Sequence, residues 1–269
     1  MTLDPALART WPATALAIAM AVVYPLLGLR RYRQLARMPE PLSTRTRLKL
    51  YANVIVSQWT LVALTVLMLA RGGRTLADIG QTLGRTTPDR LLYGMTPLAV
   101  FAVVSFFTTR QLRRANLADL PTSMQRAGKI LPHSGVERAW FVGVALTAGI
   151  CEEILYRGYL PWWIDGWLGV AGPGLVLSAI VFGLGHAYQG RKGVLVTGLL
   201  GLFFSGLVWV ARSLVPAQIL HVVVDLVNGI AVGRTLERAQ VAQAAQAAPP
   251  AALDAPASGD VDASVAPPA

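Results

Sequence analysis

What most constrains this chain is a succession of apolar runs close to the roughly 20 residues that cross a bilayer as a helix. Three lie in the first half, Trp11–Leu29, Leu50–Ala70 and Leu91–Thr109, each bounded by arginines. Four less pure ones follow, Ala139–Leu160, Ala171–Tyr188, Gly193–Ala211 and Leu214–Gly233. Seven spans are therefore expected, and the fold class is an all-α membrane protein, a polytopic helical bundle. Composition agrees: 54% of the 269 residues are hydrophobic and 14% charged, where a soluble domain carries about 25% charge. The single cysteine, Cys151, excludes an internal disulfide framework and a thiolate zinc cage.

The net charge of +10 suits nucleic acid or an anionic membrane, and its placement decides between them. Seventeen of the 24 Lys and Arg residues fall in the connections after the first, third, fifth and seventh spans, and six fall on the opposite side. Basic connections stay in the cytoplasm. The N-terminus is therefore expected outside and the C-terminal tail inside, in a multi-pass protein of the cell (inner) membrane with the bilayer itself as a partner. Topology accounts for the charge, so no nucleic-acid partner is expected. The first span is followed by arginines rather than a cleavage site, and reads as a retained anchor.

These runs divide the chain into an anchoring region of three helices (1–110), a basic cytoplasmic linker (111–138), a polar-studded core (139–233) and an Ala/Pro-rich tail (240–269) expected to be disordered. In the outer loop Arg74–Arg85, Leu76, Ile79 and Leu83 recur at helical spacing and predict a short surface helix.

An ionisable group inside the bilayer costs about 2.5–3.5 kcal/mol on insertion scales and marks a functional site by default. The first three spans contain none, whereas the last four contain Glu152, Glu153, Arg157, His186, His221 and Asp225. Glu153 and Arg157 are i,i+4 neighbours able to pair. Glu152 points about 100° away, free to face a cavity as a general base. His221, Asp225 and Asn228 form one stripe on an otherwise apolar helix. Two histidines and a glutamate on three helices supply either a general base or three ligands for a divalent metal such as zinc, and the spacing leaves both open. In both cases the reaction they suit is hydrolysis by an activated water. An ion or proton carrier is disfavoured by the lack of an internal repeat. Ser205 lacks the context of a serine nucleophile, and Cys151 reads as a small residue at a helix contact.

Taken in order, Glu-Glu-x-x-x-Arg (Glu152, Glu153, Arg157), Phe-x-x-x-His (Phe182, His186) and His-x-x-x-Asp (His221, Asp225) resemble the three motifs of the CPBP intramembrane proteases, the family of the CAAX prenyl endopeptidases and bacteriocin-processing proteins. The resemblance implies a four-helix catalytic core, a metalloprotease label, and an endopeptidase acting on a membrane-embedded or lipidated peptide or protein. It assigns water activation to Glu152 and His186, oxyanion or metal binding to His221 and Asp225, and support to Glu153 and Arg157. The alternative is a non-proteolytic scaffold or immunity-type protein of the same fold. On straight helices His186 lies some 10 Å deeper than Glu152 and His221, which predicts a tilted or broken fifth helix.

Overall fold

A computed structural model describes residues 4–38, 42–83 and 130–247, with positions 87–89, 92, 96, 97, 100, 101, 110 and 128. Among the described residues every regular element is a helix. In chain order these are α1 (Pro5–Ala8), α2 (Trp11–Ala36), α3 (Thr44–Arg71), α4 (Gly135–Leu168), α5 (Pro173–Gly185), α6 (Gly190–Ala211) and α7 (Val215–Ala247). The helices α2, α3 and α4, and the stretch Ala187–Ala211 that contains α6, are long and apolar enough to cross a membrane. Helix α5 and the first part of α7, Val215–Ile230, are shorter apolar helices. Together they account for six of the seven expected spans. The expected third span, Leu91–Thr109, and most of the linker 111–138 lie outside the described residues. Large apolar side chains such as Val56, Leu67, Leu195, Val196 and Leu199 point outward, as they do in a bundle whose solvent is lipid.

Helix starts follow local capping. The Ser43 hydroxyl accepts from the Thr46 amide at 3.3 Å and opens α3. Ser134 and Glu137 form a reciprocal capping box, each bonding the other's amide at 3.2 Å. That box starts α4 at Gly135, four residues before the hydropathy boundary. Glu137 also meets Arg47 of α3 at 3.4 Å, with both side chains buried.

Midway along α4 the backbone widens into a π turn, Ile154–Tyr159, whose six residues are all buried. Such turns are rare and gather at functional sites. Two of its tyrosines reach α2, Tyr156 donating to the Met20 carbonyl at 3.3 Å and Tyr159 to the Ala13 carbonyl at 2.8 Å. The N-terminal half is thus packed into the core rather than standing beside it as a plain anchor. A hydroxyl buried in lipid needs an acceptor, and these two find theirs on a neighbouring helix.

Helix α5 is short at both ends for visible reasons. Gly169 and Gly172, with φ of 69° and 117°, turn the chain back on itself in conformations that favour glycine. The Asp165 carboxylate accepts from the amides of Gly172 and Gly174 at 2.9 and 2.7 Å, capping the incoming helix. At the far end α5 stops at Gly185, His186 leaves helical geometry, and a 3-10 turn, Ala187–Gln189, leads into α6. The fifth helix, expected to be tilted or broken, ends at Gly185, immediately before His186. At Gly183 a Cβ would lie 2.8 Å from the Val194 carbonyl and 2.9 Å from Gly198 Cα, so α5 and α6 pack backbone to backbone.

Two expectations shorten or lengthen. The outer-loop helix contracts to a 3-10 turn, Leu76–Ile79, capped by Thr75 and Asp78, while Leu83 lies beyond it and is exposed. Helix α7 runs on through Ala247, past Gln240 where the tail was expected to begin. The remaining residues, 248–269, lie outside the described set.

Candidate active site

The site forms where α4, α5 and α7 meet, and α3 closes it from the side. Helices α4 and α7 approach closely because Gly149 has no side chain: a Cβ there would lie 2.4 Å from Val222 Cγ2 and 2.8 Å from the Val222 amide nitrogen. This contact sits one turn before Glu152 and Glu153, so it brings both carboxylates beside His221.

The two neighbouring glutamates have different surroundings. Glu153 is fully buried, and its Oε1 lies 3.1 Å from Arg157 Nη1 and 2.8 Å from His221 Nδ1. The expected i,i+4 pair therefore exists and also takes in the histidine of α7. The Arg157 guanidinium, also fully buried, lies 4.1 Å from the centre of the Phe182 ring and 5.4 Å from that of Phe204, a cation–π setting that holds it in an apolar interior. Phe204 also stacks on His221, ring centres 5.3 Å apart. Glu152 keeps 15% of its side chain exposed. One of its oxygens, Oε1, accepts from Gln58 Nε2 of α3 at 2.7 Å, and the other, Oε2, lies 3.9 Å from His221 Nε2.

Hydrogen bonds orient both imidazoles. His186 Nδ1 donates to the Phe182 carbonyl at 2.8 Å, which leaves Nε2 as its free edge. His221 Nδ1 donates to Glu153, so its Nε2 faces Glu152 and, at 3.7 Å, Asp225 Oδ2. The Phe182 ring lies against both, 4.7 Å from His186 and 6.3 Å from His221 between centres. Glu152 and His221 are within electrostatic reach of His186. The six residues singled out by sequence thus converge: Glu152, Glu153 and Arg157 from α4, His186 from the end of α5, His221 and Asp225 from α7.

Residues 135–227 match the family model described as Rce1-like, type II CAAX prenyl endopeptidase Rce1-like. They form a domain of the CPBP family. Comparison with curated proteins and with solved structures returned no match. The CPBP domain spans α4 to the middle of α7 and includes all three motifs; helices α1 to α3 lie before it. The chain is thus a helical membrane protein carrying a domain of a membrane-protease family.

Among the described residues no three His, Cys, Asp or Glu side chains gather as a metal-ion site. Gaps of 3.7 and 3.9 Å separate His221 Nε2 from its two facing carboxylates, and Glu153 is committed to Arg157 and His221. The residues left to hold the divalent metal the family label implies are Glu152, His186 and His221, with Asp225 beside them.

Two features of the site escaped the sequence reading. Gln58 is an uncharged amide in a span treated as pure, and a search restricted to ionisable groups passes over it. An apolar cavity of about 580 Å³ is lined by residues that include Phe204, Leu220, Val100 and Phe101. Nothing in an apolar stretch marks which residues line a cavity rather than face lipid.

Proposed function

We propose that the protein is an intramembrane endopeptidase that hydrolyses a peptide bond of a membrane-embedded or lipid-modified substrate with a water activated by Glu152. The observation that carries this reading is the division of labour between adjacent glutamates. Glu153 is buried and committed to Arg157 and His221, while Glu152 is partly open and turns one oxygen toward His221 across a 3.9 Å gap.

In this reaction Glu152 Oε2 takes a proton from water as the hydroxide adds to the scissile carbonyl, and His186 orients that water through its free Nε2 edge. His221, protonated on both ring nitrogens between Glu153 and Asp225, donates from Nε2 to the developing oxyanion, where preorganised polar groups contribute most. Asp225 limits the ways the His221 ring can turn. Collapse of the tetrahedral intermediate breaks the C–N bond, and the proton held by Glu152 passes to the leaving amine. The apolar cavity beside Phe204 accommodates the apolar part of the substrate while the peptide lies across Glu152.

The test compares wild type, Glu152→Gln and His186→Ala, purified in detergent, on a library of membrane peptides with cleavage read by mass spectrometry. Loss of a positioned general base lowers turnover by about 10²–10⁴-fold. Equal turnover by wild type and Glu152→Gln overturns the proposal and favours a scaffold of the same fold.

A further inference from the structure

Gln58 comes from outside the segment that matches the family, yet it makes the shortest side-chain contact to Glu152, 2.7 Å from Nε2 to Oε1. It is buried, on the face of α3 that packs against α4. Tyr24 of α2 lies beside Gln58 and Ser57 and within electrostatic reach of Glu152. The next residue of α3, Trp59, donates from Nε1 to Thr147 Oγ1 at 3.2 Å, five residues before Glu152 on α4. An amide nitrogen rather than its oxygen must face a carboxylate, because only the nitrogen donates.

The two oxygens of Glu152 are thereby made unequal. Without a donor on Oε1 the carboxyl group can rotate about its last torsion, which is broad for glutamate, and either oxygen can turn toward His221. With Gln58 in place Oε1 is occupied, and Oε2 is held on the side of His221 Nε2, 3.9 Å away. We propose that Gln58 is a positioning residue that fixes Glu152 for water activation, so that the N-terminal helices complete a site whose reacting groups all lie in the family domain. This rests on Glu152 being the general base of a protease, and the experiment keeps the two ideas separable.

Gln58→Met keeps the length of the side chain and removes the donor; Gln58→His restores a ring nitrogen at similar reach. On a peptide cleaved by wild type, Gln58→Met is expected to lower kcat by about 10–100-fold, the usual cost of losing a residue that orients a reacting group. KM stays within about twofold, and Gln58→His recovers most of the loss. A second readout needs no activity: the infrared carboxylate band removed by Glu152→Gln is expected to shift in the Gln58→Met protein. A Gln58→Met protein with wild-type kcat and an unmoved band overturns the positioning role while the protease reading stands. A loss of kcat that Gln58→His does not recover, with an unmoved band, also overturns it, because Gln58 then acts through packing. If wild type cleaves no peptide the protease reading fails, and an unmoved or shifted band still decides whether Gln58 holds Glu152.

Discussion

The crossing of α4 and α7 at Gly149 sets the distance between the carboxylates and His221, and Gly149→Ala tests this directly. The added Cβ would lie 2.4 Å from a Val222 methyl and 2.8 Å from the Val222 backbone nitrogen. The methyl can rotate away, but the backbone cannot. Ordinary contacts begin near 3.5 Å, so α7 must retreat by about 0.7 Å at this point. His221 precedes Val222 and moves with it, so its 2.8 Å bond to Glu153 stretches to about 3.5 Å, where little of a hydrogen bond survives. Overpacking of this kind costs about 1–3 kcal/mol of stability. A misplacement approaching 1 Å costs up to about 100-fold in rate. The assay is peptide cleavage by the detergent-purified variant, with thermal unfolding followed in the same detergent. Gly143→Ala is the control, because a Cβ there meets only Ile55 Cδ1 at 3.5 Å. That variant should retain activity and gain up to about 1 kcal/mol from replacing a mid-helix glycine. A Gly149→Ala protein that turns over like wild type would show that this crossing does not set the site's geometry.

Two further outcomes follow from buried polar groups. Glu153→Gln and Arg157→Met each leave one buried charge without its partner, costing about 3–5 kcal/mol, whereas the double variant recovers most of that stability; thermal unfolding of the three proteins measures it, and wild-type stability of either single variant refutes it. Asp165→Ala removes the acceptor of two amides at the start of α5 and lowers stability by about 1–3 kcal/mol, with Asp165→Asn intermediate; unchanged unfolding would mean that the Gly172–Gly174 turn holds without its cap.

The bundle was legible because a bilayer imposes length and apolarity on whatever crosses it, and six expected spans correspond to described helices. A tilted or broken fifth helix was expected from the depth of His186 on a straight helix, and the helix ends at Gly185. The π turn at Ile154–Tyr159 was not legible, because widening a helical turn needs no particular side chain; Arg157 within it stood out for its charge, which says nothing of the backbone around it. The candidate site residues stood out as ionisable groups where charge is expensive. Gln58 did not, because an amide in a Val/Leu-rich helix is tolerated cheaply enough to pass as noise, and its meaning came from the carboxylate it faces. The reach of Tyr156 and Tyr159 to carbonyls of α2 was equally silent, since backbone acceptors have no signature in sequence.

The pairing of Arg47 with Glu137 bears on where this protein can be cut. The segment that matches the family begins at residue 135, and its first turn already depends on a cation from α3. Released from the preceding helices, residues 135–227 would carry a buried carboxylate without its arginine, two tyrosine hydroxyls without acceptors and Glu152 without its amide. The stretch that is recognisable across a family and the stretch that can stand alone in a membrane are different lengths of this chain. The longer one starts within the first transmembrane helix.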